Sequence, residues 1–231
     1  MLGLKPELED EDLWAAAYEL PPRQDVVLDH VPESLQNALQ NAINCRSMIE
    51  PEQERLRELQ KEAKNATEFE AREYQIEYVA RHLNRAADLA ELRVEHLTSI
   101  ITKAEIEEEL HRITESKEHW YRYYAWGYDP RARTPLAVVP FELLPKQVEL
   151  VDWLDDGTFR LRTSGIIEKS RDEGATETIV RWGLHNWLFR EGFSMLLSTR
   201  KEDEVDSKKN QNTLFERVRY QIRLLPVWQH P

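Results

Sequence analysis

The run Ile166, Ile167, Glu168, Lys169, Ser170, Arg171, Asp172, Glu173, Gly174, Ala175, Thr176 decides how the second half of the chain is read. Two β-branched apolar residues suit a short strand, and a charged loop with a single glycine follows them. From Thr176 to Phe189 apolar residues recur at helical spacing. Upstream, Asp155, Asp156 and Gly157 mark a turn before a strand from Thr158 to Arg162, and Pro140 to Leu144 leads into a helix from Lys146 to Trp153. Downstream, Phe193 to Ser198 reads as a strand and Thr213 to Leu225 as a helix. Strand, loop, helix, strand is a βαβ unit.

A loop in that position can hold phosphate. Backbone N–H groups at a helix N-terminus face the anion, a glycine lets the chain pass close to it, a cation balances its charge and a hydroxyl ligates Mg²⁺. Gly174 and Thr176 fill two of these roles. Ala175 stands where the usual consensus has lysine, so the cation has to come from Lys169 or Arg171 at the front of the loop. The bland alternative is a Gly174 that caps a turn and a Lys169 solvated at a strand end.

The first half has a different character. Between Pro51 and about Lys117 there is no further proline and no glycine, while Ile76, Val79, Leu83, Ala86, Ala90, Val94, Leu97, Ile101 and Ala104 keep a three-and-four spacing. That is a long amphipathic helix. Pro51 suits a first turn and Thr67 with Glu70 matches a capping box, which predicts two helices broken near Asn65. A core face on its own chain is favoured for the stripe over an oligomerisation or adaptor arm. His82, His96, His111 and His119 lie on or beside these helices without an i, i+4 pair, so they read as ordinary histidines, and Glu105, Glu107, Glu108 and Glu109 read as a solvated face. Six of the seven glycines and five of the seven tryptophans lie after residue 120. The aromatic run Trp120, Tyr121, Tyr123, Tyr124, Trp126 and Tyr128 sits at this change, where packing between the halves is favoured over base stacking.

The expected organisation is α+β overall. It comprises an irregular acidic segment with short helices (1–50), a helical hairpin or coiled-coil arm (51–119) and a partial P-loop α/β domain (120–231). The net charge of −12 is uneven: residues 1–120 carry 27 acidic and 14 basic side chains, and 121–231 carry 16 and 17. An anionic half repels a phosphate backbone, so any nucleic-acid contact belongs to the second half. No apolar run reaches the roughly 18 to 20 residues that span a bilayer, and the acidic start lacks the pattern of a secretory leader. The lone Cys45 excludes an intrachain disulfide and a cysteine zinc ribbon and fits a reducing, cytoplasmic setting.

Lys169 to Thr176 resembles the deviant ATP-binding loop Lys-Ser-Arg-x-x-Gly-x-Thr of the tailed-phage terminase large subunit, the ATP-driven motor that packages DNA into capsids. Trp126 to Arg131 and Pro140 to Gln147 look like that family's approach to its adenine-recognition motif. Ser198 to Asp206, Leu214 to Glu216 and Leu225 to Trp228 look like the segment beyond its first helix. The likeness covers roughly residues 120–231 and rests on several motifs in order. It implies a terminase or RecA-like ATPase core with ATP and Mg²⁺ as cofactors.

Carried over, Gln147 would read adenine with its side-chain amide. Lys169 would hold the β- and γ-phosphates, and Arg171 would act catalytically as a cis arginine finger or sensor. Ser170, Gly174, Ala175 and Thr176 would line the phosphates, with the Thr176 hydroxyl on Mg²⁺. Arg200 and Lys201 would touch DNA or a neighbouring subunit. The partners implied are double-stranded DNA through the complete motor, the terminase small subunit and the portal, in host cytoplasm.

Against tight nucleotide binding stand the charges of Glu168 and Asp172. No apolar strand ending in Asp-Glu, the Walker B element, comes after Thr176, and no nuclease domain is present. The expectation is therefore an amino-terminal fragment or split product, inactive in hydrolysis alone, with an open sheet edge covered by a second copy or a complementing chain. The competing reading is a non-catalytic helical adaptor carrying a degenerate ATPase remnant. A helicase ranks last, because it predicts the Gly-Lys-Thr ending that Ala175 denies.

Overall fold

In the glycine-free stretch the helices form as the spacing predicts, with one break more than expected. The structure, a computed structural model, describes residues 31–128, 138–169, 174–207, 210 and 212–231. Helix α1 (Glu33–Asn44) runs through a 3₁₀ turn at Cys45–Met48 into α2 (Ile49–Lys61), which carries Pro51 in its first turn. Helix α3 (Ala66–Thr98) turns back along α2, because Gln53 donates to the Ile76 carbonyl at 3.2 Å and Gln60 to that of Phe69 at 3.3 Å. The break falls where expected, but the cap is Asn65 rather than Thr67: its side chain accepts from the Glu68 N–H at 2.9 Å.

A second break at Ser99 ends the stripe. Thr102 and Glu105 form a capping box that starts α4 (Lys103–Glu115), so Ile101 and Ala104 do not continue the face of α3. On α3 full burial begins only at Leu83, while Phe69, Tyr74 and Tyr78 are exposed. The outer half of the α2–α3 hairpin thus projects as an arm, and its inner half joins the core.

Ser116 caps α5 (Lys117–Tyr124), which leads into β1 (Trp126–Tyr128). This strand pairs antiparallel with β2 (Val138–Pro140), Trp126 opposite Pro140, in a two-stranded sheet. The chain continues through α6 (Pro145–Asp155), α7 (Ala175–Phe189), the one-turn α8 (Glu202–Val205) and α9 (Leu214–Arg223). Trp120, Tyr121, Tyr124 and Trp126 are buried to 2% exposure or less, in one core that runs from Val31 to Trp228.

Buried polar groups tie this core to the backbone. Arg93 donates to the carbonyls of Arg122 at 2.8 Å, Ala125 at 2.7 Å and Tyr121 at 3.0 Å, satisfying the C-terminus of α5 with a full positive charge. Gln221 on α9 donates to the Tyr124 carbonyl and accepts from the Trp126 N–H, each at 2.8 Å. The aromatic run therefore packs the two halves into each other.

The predicted strands around the phosphate loop do not form among the described residues. Residues 156–161 continue α6 as a wider π-type turn, Asp156–Leu161, ending on Arg162 at φ 52°. Phe159 is drawn against Trp182 and Phe193, and Arg160 pairs with Asp156 one turn earlier, at 2.7 and 2.9 Å; these contacts outweigh the β pattern of Thr158 to Arg162. Ile166 is 96% exposed and pairs with no strand. Residues 193–198 alternate half-buried Phe193, Met195 and Leu197 with exposed Ser194, Leu196 and Ser198, as a strand would, but make no ladder. Met195 instead lies on α7 at Gly183, where even a Cβ would meet its sulfur at 2.1 Å. The fold is mostly helical with a small sheet, and it contains no parallel βαβ unit among the described residues.

Candidate functional site

Gly174 takes φ +69° immediately before α7, a left-handed conformation that side chains disfavour, and its carbonyl accepts from the Thr178 N–H at 3.0 Å. A Cβ at Gly174 would lie 2.6 Å from the Gln147 side-chain nitrogen, so a larger residue would push the end of that side chain aside, while the angle itself favours glycine. Gln147 sits in the first turn of α6, where its Oε1 accepts from the Leu144 N–H at 3.0 Å. Two residues 27 positions apart in the sequence, assigned to adenine and to phosphate, thus meet.

Gln147 also lines a shallow groove of about 220 Å³, with Tyr78, His82, Arg85, Phe141 and Glu142 among the other walls. Arg85 and Glu142 pair across it at 3.0 Å. At the start of α7, Ala175 is buried and Thr176 exposed. The carboxylate of Glu177 in the same turn is paired by both Arg181 and Arg217. The two guanidiniums outweigh that one carboxylate and add to the positive end of the helix. Lys169 is exposed, as are Arg200 and Lys201 just before α8. Ser170 and Arg171, with Asp172 and Glu173, lie outside the described residues. Of the aromatic residues on α7, Trp182 is core and donates to Asp155 at 2.7 Å, while Trp187 is 38% exposed.

A second constellation departs from the reading of the glutamate run as solvated. Glu109 is 1% exposed and lies between α3, α4 and α5. Its Oε1 faces His119 Nε2 at 2.7 Å, His96 Nε2 at 2.8 Å and the Tyr124 hydroxyl at 2.8 Å. Burial pushes the carboxyl up, but the hydrogen bonds from His119, His96 and Tyr124 prevail and hold it well below the usual carboxylate range. The signal available was Glu109 at the fourth position after Glu105 of the capping box, on the same face as Ile106 and Ile113.

No family model, curated protein or solved structure matches the chain. No helix among the described residues is long and apolar enough to cross a membrane.

Proposed function

We propose that the chain is a terminase-like, ATP-binding segment of a DNA-packaging motor. Its nucleotide lies at the start of α7, with the adenine at Gln147, the phosphates over Gly174, Ala175 and Thr176, and the cation supplied by Lys169; the roles assigned to Ser170 and Arg171 fall outside the described residues. The observation that carries this reading is the contact between Gln147 and the left-handed Gly174 at a helix N-terminus, because these are the two residues assigned to the adenine and to the phosphates of one ligand. The excess of positive charge around Glu177 also supports it. Mg²⁺ would take the exposed Thr176 hydroxyl.

Hydrolysis by this chain alone is negligible, because no Walker B carboxylate pair is supplied after Thr176. The strand-like alternation at 193–198 and the exposed Ile166 favour a second copy or complementing chain that completes a sheet. DNA, the small subunit and the portal would be met through that assembly.

A second reading rests on a separate observation. Tyr74, Tyr78 and His82 stack along the outer face of α3, with ring centroids 6.1 and 5.6 Å apart, and both tyrosines are at least half exposed. An aromatic ladder on a projecting arm suits a non-catalytic adaptor.

Titration with a fluorescent ATP analogue separates the two. The ATP reading predicts saturable Mg²⁺-dependent binding that weakens about tenfold or more in Lys169→Ala and Thr176→Ala, a loss of about 1.4 kcal/mol each. It also predicts no steady-state turnover. Equal weak binding in all three proteins leaves only the adaptor, and brisk hydrolysis abolished by Lys169→Ala contradicts the expectation of negligible turnover.

A further inference from the structure

Three donors converge on one oxygen of Glu109, although a carboxylate oxygen has two lone pairs, while Oε2 of the same group is buried and accepts no hydrogen bond. Among the described residues only the Arg112 guanidinium faces Oε2, at 3.5 Å, and that side chain is 53% exposed and also pairs with Glu108. As a hydrogen-bonding scheme this is lopsided; as a set of ligands it is well gathered. His96 Nε2, His119 Nε2 and a carboxylate oxygen of Glu109 lie within 4.8 Å of one another. They come from three different helices, so the cluster is invisible to a search for paired histidines on one helix.

We propose that His96, Glu109 and His119 form a site for a divalent transition metal of the zinc class. Two imidazole nitrogens and one carboxylate oxygen are a borderline donor set, which suits Zn²⁺ and disfavours Ca²⁺ or Mg²⁺. Metal–ligand bonds of about 2.0 to 2.2 Å place tetrahedral donors about 3.4 Å apart, so the imidazoles need retreat from the carboxylate oxygen by only about 0.6 to 0.7 Å from their present 2.7 and 2.8 Å.

The rings are already held for this. Tyr123 stacks on His96 with centroids 3.9 Å apart and leans on His119 at 4.7 Å. Tyr124 steadies the carboxylate from the buried side. The side chains of His96 and His119 are 13% and 22% exposed, which gives the ion an entry and leaves a fourth position for water. Bound there, the ion staples the end of α3 to α4 and α5, beside the carbonyls that Arg93 holds. The site is separate from the nucleotide loop and does not depend on that reading.

The chelator-treated chain titrated with Co²⁺ and then Zn²⁺ provides the test. The expected result is a Co²⁺ visible absorption spectrum of tetrahedral intensity at one equivalent, displaced by Zn²⁺, with a Zn²⁺-dependent rise in Tm. Affinity falls more than about tenfold in His119→Gln and in Glu109→Gln. The exposed His111→Gln control retains it. No Co²⁺ spectrum from the wild-type protein overturns the proposal without recourse to any variant. Equal affinity in a folded His96→Gln, His119→Gln double variant overturns it too and leaves a hydrogen-bonded core cluster.

Discussion

At the scale of single residues, buried charge and polarity decide where the chain is vulnerable. His185 on α7 faces the Ile113 carbonyl through Nε2 at 2.9 Å, which assigns the proton to that nitrogen, while Nδ1 is buried without a partner. Burial pulls its pKa down from 6.5 to about 4, against the carbonyl, with Lys117 lowering and Asp155 raising it. The folded value lies below the unfolded one, so the unfolded chain takes up the proton first. Stability is complete above about pH 6.5 and falls as the pH drops towards 4, by up to about 3 kcal/mol. Urea unfolding midpoints at pH 7, 5.5 and 4.5 check this: His185→Phe flattens the curve over that window. An equally steep decline in the variant refutes the assignment. Glu109 also has its folded pKa depressed, so its contribution is present above its unfolded value near 4.5 and disappears only at lower pH.

Among the helices, the two breaks in the first half differ in consequence. Asn65 caps an arm where α2 fully buries only Leu56 and α3 fully buries no residue before Leu83. Thr102 caps a corner whose neighbours Ile100, Ile101 and Ile106 are all buried. Losing either cap costs about 1 kcal/mol locally. Thr102→Ala therefore lowers global stability by about that amount in urea, whereas Asn65→Ala speeds amide exchange near residues 66–69 with little change in the global midpoint. A global loss from Asn65→Ala as large as that from Thr102→Ala contradicts a locally fraying arm.

These same elements show how far local signals reach. Helix existence, the break near Asn65, Pro51 in a first turn and the helices around 146–153, 176–189 and 213–225 are legible from periodicity and turn chemistry, which are local. The break at Ser99 is hidden because the Thr102, Glu105 box lies inside an apolar repeat that continues through it. The strand at 158–162 fails because Phe159 finds partners on α7 and beyond, a tertiary contact that β propensity does not encode. Gln147 and Gly174 are legible as motif residues, but their contact is not. Glu109 escapes notice because a run of glutamates looks solvated until the histidines that bury one of them are brought in from two other helices.

For the whole molecule, one core from Val31 to Trp228 makes the helical half a support for the half that bears the loop. Arg93 and Gln221 bind the turn at Tyr124–Trp126, and α7 docks on α5 through the Tyr121 hydroxyl, which donates to the Thr178 carbonyl at 2.6 Å. The start of α7 is thereby fixed from behind while Thr176 and Lys169 face solvent. That arrangement is what the proposed nucleotide site at Gly174 requires, and in that proposal the adenine lies against α6. Photolabelling with an azidoadenine ATP analogue, followed by peptide mapping, tests this most directly. The account predicts Mg²⁺-dependent labelling of the 141–153 region that excess ATP suppresses and Lys169→Ala diminishes. Labelling that ATP does not suppress, or that falls on the hairpin tip around Phe69, away from the groove lined by Gln147, would contradict it.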